Sequence, residues 1–75
     1  MDTSINIEAV QQLIDEKFRG NVSWFAEEIG VDRSYVLALL KHEGNVNKSK
    51  KIIVNLMAYC KKNNLDFEKY IIFLS

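Results

Sequence analysis

The chain has 75 residues, 48% of them hydrophobic, with ten basic and ten acidic side chains, one histidine, one cysteine and no proline. A chain this short hides only about 60% of its unfolded surface, so it has material for one domain and one core. No apolar run approaches the roughly 18 residues that cross a bilayer, and the lone Cys60 excludes both an internal disulfide and a zinc cluster of paired cysteines.

In chain order, the first predicted helix runs from Asn6, a cap, to Phe18, with Ile7, Val10, Leu13, Ile14 and Phe18 on one stripe and Gly20 just past its end. The second begins near Asn21 and ends at Ile29. Its inward side is Val22, Phe25, Ala26 and Ile29, which leaves Trp24 facing outward against the first helix or a partner. Gly30 then stands where a left-handed residue stops a helix. Asp32 is the expected cap of a third helix, its carboxylate accepting from free amides, and that helix should run from Arg33 to about His42. A loop through Gly44, Asn45 and Asn47 precedes a fourth helix, Lys48 to Asn63, whose Ile52, Ile53, Leu56, Met57 and Cys60 recur at helical spacing. A fifth, short helix capped by Asp66 should place Phe67, Tyr70, Ile71 and Leu74 on one side. Cys60 reads as a small core residue. His42 reads as a helix-end side chain without a second metal ligand near it.

Charge is segregated along this order. Residues 1–32 hold seven acids against Lys17 and Arg19, a net of minus five, whereas residues 33–63 hold seven bases against Glu43 alone, a net of plus six. A chain of zero net charge can therefore present one basic face to an anion. The three-residue link from Gly30 to Asp32 forces two helices to meet at a sharp bend, with small Ala26 allowing close approach and Val31 anchoring the turn.

The residues "FAEEIGVDRSYV", Phe25 to Val36, resemble the helix-turn-helix of the phage Cro and repressor type, the XRE family. Phe25 stands at the family's usual leucine, Ala26 at its small inner residue, Gly30 at the turn glycine, Val31 at the apolar turn residue, Asp32 at the cap, and Val36 and Leu39 at buried positions of the recognition helix. The resemblance implies an all-α, compact five-helix, lambda-repressor-like domain spanning residues 1–75. It also implies a recognition helix, about residues 33–42, that enters the major groove of double-stranded DNA, with the protein acting as a homodimer. Arg33, Ser34, Leu37 and Ala38 are then the expected base contacts. Tyr35, Lys41, Asn45, Asn47, Lys48, Lys50 and Lys51 are the expected phosphate contacts. Departures from the pattern are Leu37 and Ala38 where polar residues are common, Leu40 where an acid is common, His42 near a common glycine, and Val22 in place of a frequent glutamine.

The leading expectation is a small cytoplasmic transcriptional regulator, repressor-like, of a phage or mobile element or its bacterial host. The alternative keeps the fold and makes it a protein interaction module, an antirepressor or modulator of another regulator, that uses Leu37, Ala38 and Leu40. The terminal "YIIFLS" is richer in apolar residues than one short helix can bury, so Ile72 or Phe73 is expected at a subunit contact on either reading. No catalytic site, cofactor, small-molecule ligand or membrane partner is expected, because no nucleophile elbow, phosphate-cradling glycine loop or paired-acid arrangement is present.

Overall fold

A computed structural model describes residues 2–44 and 46–74. Among them the elements run β1 (Asp2–Ile5), α1 (Ile7–Phe18), α2 (Val22–Ile29), α3 (Arg33–Leu40), a 3-10 turn (Val46–Lys48), α4 (Lys50–Lys62), a second 3-10 turn (Phe67–Lys69) and β2 (Ile71–Leu74). The domain is mostly helical, as the periodicity predicts, and no described helix is long and apolar enough to cross a membrane.

The expected all-α class holds roughly, with a small two-stranded sheet added, but the five-helix count needs correction. Four α-helices are described, and the expected fifth is a single 3-10 turn that gives way to a strand. Asp66 does cap this last turn, through its carboxylate and the Glu68 amide at 3.0 Å, but the chain then extends and pairs antiparallel with β1. The register sets Ile5 opposite Ile71 and Ser4 opposite Ile72. The Asn6 amide continues the ladder by donating to the Tyr70 carbonyl at 2.8 Å. Ile5 and Ile71 are almost fully buried, so this small sheet closes one end of the core. Each buried isoleucine contributes about 1.5 to 3 kcal/mol relative to exposure.

The core otherwise follows the helical stripes: Val10, Leu13, Ile14 and Phe18 from α1, Phe25, Ala26 and Ile29 from α2, Val36 and Leu39 from α3, and Ile52, Ile53, Leu56 and Cys60 from α4. Aromatic rings join three of the helices. Phe18 meets Phe25 edge-on at 5.3 Å and Trp24 at 5.0 Å between centroids, while Tyr59 of α4 lies 6.4 Å from Phe25. Trp24 thus faces outward, as its spacing predicts, with one edge covered by α1.

Helix ends explain the remaining shifts of boundary. The third helix stops at Leu40 instead of about His42, because His42 takes a left-handed backbone (φ 57) and the Glu43 amide reaches back to the Ala38 carbonyl at 3.0 Å. The fourth starts at Lys50, since Lys48 belongs to the preceding 3-10 turn. It closes in the same way as the third: Asn64 has φ 56 and the Leu65 amide donates to the Cys60 carbonyl at 2.8 Å. Both are closures in which one left-handed residue returns orphan carbonyls to hydrogen bonds.

Candidate nucleic-acid interface

The bend between α2 and α3 is built by its sequence. Gly30 has φ 77, and its amide and that of Val31 both donate to the Ala26 carbonyl, at 2.9 and 3.0 Å. This bonding pattern brings the residue after the glycine back onto the helix, and Val31 and Ala26 are correspondingly both buried. A Cβ at Gly30 would meet nothing closer than the Asn55 side chain at 4.0 Å, so glycine is required by the backbone angle and not by space. The same Asn55 donates a long hydrogen bond, 3.4 Å, to the Gly30 carbonyl and so ties α4 to the turn.

Beyond the turn, Arg33, Ser34 and Tyr35 occupy the first turn of α3 and all three are exposed, while Val36 and Leu39 point into the core. Leu37 and Ala38 are half-buried. Leu40 packs against the core, so it does not belong to the outer apolar face in which the sequence places it. Lys41 is exposed just past the helix. On the next segment Lys48, Lys50 and Lys51 are exposed and Asn47 is half-buried; Asn45 lies outside the described residues. Of the predicted contacts, the structure brings one pair from separate helices together: the Lys51 ammonium lies 5.4 Å from the centre of the Tyr35 ring. Lys51 stands one helical turn before Asn55, so the side of α4 that touches the bend also touches the tip of α3.

The starts of α3 and α4 share a second property. In α1 and α2 the side chains of Asn6 and Asn21 accept from the amides of Ala9 and Trp24, at 3.2 and 3.0 Å. Asp32 and Ser49 occupy the equivalent positions in extended backbone but make no such bond, which corrects the capping role expected of Asp32. The first turns of α3 and α4 also contain no acid; they carry Arg33 and Lys50 with Lys51 instead. Cations at the amino end of a helix oppose its dipole, at about 0.3 to 1 kcal/mol each where exposed. Two adjacent helix starts therefore combine amide donors that no side chain caps with positive side chains, an arrangement suited to an anion.

Sequence reasoning misses two features of this surface. Asn55 is one; its only signal is a lone carboxamide inside an otherwise apolar stretch, four residues after Lys51. The other is that Ile72 and Phe73, expected at a subunit contact and 41% and 43% exposed, lie on the edge of a strand and not on a helix. Away from the surface, burial pushes the Cys60 thiol up, with Asp66 adding to the effect, and Cys60 is fully enclosed, in keeping with its reading as a core residue. Comparison of the chain with protein-family models, with curated proteins and with solved structures gave no match.

Proposed function

We propose that this protein is a small DNA-binding transcriptional regulator with a helix-turn-helix of the phage Cro and repressor type, acting in the cytoplasm without catalytic activity or cofactor. On this reading α3 is the recognition helix. Arg33 and Ser34 reach base edges from its amino end, and Leu37 and Ala38 lie against thymine methyls. Tyr35, Lys41, Asn47, Lys48, Lys50 and Lys51 serve the phosphates. The observation that carries the reading is the pair of helix starts with no side-chain cap bond and no acid in the first turn, bearing Arg33, Lys50 and Lys51 beside the Gly30 bend. Local rules of helix stability are broken there and nowhere else among the four α-helix starts, and such conflicts concentrate where a partner resolves them.

One short helix makes few base contacts, so the protein acts as a homodimer on a two-fold site. The outer edge of β2 suits a second copy, because it presents exposed Ile72 and Phe73 beside unpaired backbone groups.

The interaction-module reading stands second. It is favoured by the half-exposed Leu37 and Ala38 and by an apolar groove of about 570 Å³ beside Met57, Leu65 and Phe67. It loses Leu40, which is turned to the core.

Fluorescence anisotropy with duplex DNA, first of random sequence and then of selected sites, separates the two. Four to six phosphate contacts give a log-log dependence of affinity on salt of roughly minus four to minus five. Arg33→Ala should cost about 1 to 3 kcal/mol on the preferred site and relax one base pair, whereas Lys50→Ala should weaken all sequences alike. Salt-independent retention, indifferent to both changes, with loss of a protein complex on Leu37→Asp, overturns the DNA reading in favour of the module.

A further inference from the structure

The placement of Lys51 over Tyr35 bears on how the surface grips a phosphate, and the inference drawn from it rests on the DNA reading above. Lysines on a surface are ordinarily loose: a long chain with three or four free rotors loses much entropy when its ammonium is fixed. Lys51 differs from Lys48 and Lys50 in having an aromatic face beneath its ammonium, 5.4 Å from the ring centre. The backbone that carries that ring is fixed, because Tyr35 sits in the first turn of α3, where its amide donates to the Asp32 carbonyl at 3.0 Å. The bend that leads into α3 is tied to α4 by the long bond from Asn55 to the Gly30 carbonyl. Tyr35, Lys51, Asn55 and Gly30 thus form a closed circuit across the bend, α3 and α4. It places one positive charge beside the first turn of α3, the turn that also carries Arg33.

We propose that Tyr35 and Lys51 form a single seat for one phosphodiester group of duplex DNA, in which the Tyr35 ring is the platform that holds the Lys51 ammonium and Lys51 makes the ionic contact. Lys51 is the binding residue and Tyr35 a positioning residue that acts through it. The ring face stabilises the cation without neutralising it, so the ammonium stays available to a phosphate oxygen while its freedom is reduced. A carboxylate in place of the ring would have cancelled the charge. Tyr35 stands in the same first turn as Arg33 and Ser34, so the seat is carried on the helix that bears the base-reading residues.

The test is a double-substitution cycle read by the salt dependence of duplex binding, with thermal melting as the check on folding. Lys51→Met should lower the magnitude of the salt slope by about one and weaken binding several-fold on every sequence. Tyr35→Leu should do nearly the same without removing any charge, and the double variant should be little worse than Lys51→Met alone. Tyr35→Phe, which keeps the platform, should retain the full slope. Should Tyr35→Leu melt below the assay temperature, Tyr35→Phe and Lys51→Met still decide: loss of slope in the first, or an unchanged slope in the second, overturns the seat. So does a Tyr35→Leu, Lys51→Met pair whose effects multiply, because the two side chains would then act separately. Wild-type protein that binds no duplex at any salt concentration defeats the DNA reading itself, an outcome distinct from binding that is indifferent to this pair.

Discussion

The first two helices and the next two begin in opposite ways. At α1 and α2 the chain satisfies itself: Asn6 and Asn21 close the free amides, and Glu8 adds an acid to the first turn of α1. At α3 and α4 the cap positions make no side-chain bond and the first turns carry bases. Both pairs bury comparable apolar stripes in one core, so the difference is not one of packing. A helix whose ends are internally satisfied serves as frame, whereas one whose amino end is left open, with charges of the wrong sign for its dipole, is held in place by tertiary contacts and offers that end to a partner.

Five substitutions, two of them read as a pair, break or sharpen this contrast, from the largest expected effect to the smallest. Phe25→Ala strikes the frame shared by both pairs, since its ring meets Phe18 and Tyr59, and should cost about 3 to 5 kcal/mol in chemical denaturation. A loss under about 1 kcal/mol would mean that the two pairs do not share a core. Gly30→Ala strains the bend without a clash and should cost about 1 to 2 kcal/mol, seen as a lowered denaturation midpoint at unchanged m-value. Asn21→Ala should cost about 1 kcal/mol by removal of a made cap, while Asp32→Ala should stay within about 0.5 kcal/mol. Equal losses would erase the distinction between the helix starts. Finally, Lys50→Glu should raise stability by about 0.3 to 1 kcal/mol at low ionic strength while weakening duplex binding. A variant that is more stable and binds as well would remove the reason for a base at that position.

Much of the helical part of the fold was legible in the residues. Asn6 as a cap, a helix start near Asn21, Gly30 as a left-handed stop and the three-to-four spacing of Val10, Leu13 and Ile14 are local signals, each expressed within one or two turns. The candidate surface was legible to the same depth. Val36 and Leu39 mark the buried side of α3, and that leaves Arg33, Ser34 and Tyr35 outside. The C-terminal segment was not. Phe67, Tyr70, Ile71 and Leu74 match a helical period, yet Ile71, Ile72 and Phe73 are equally the β-branched and aromatic residues that strands favour. The choice between the two rested on "DTSI" at the other end of the chain, four residues too few to signal a strand by themselves.

The sequence by itself determined where four α-helices lie, which stripe of each is buried and where the α2–α3 bend falls, because capping, left-handed stops and helical periodicity act between residues close in the chain. Only the tertiary structure decided that the termini pair as strands, that Leu40 turns inward, that Asp32 caps nothing and that Lys51 rests on Tyr35. The strand pairing and the Lys51–Tyr35 contact join groups far apart along the chain. The inward turn of Leu40 depends on how α3 is seated against the core, and neither kind of outcome is written in local sequence.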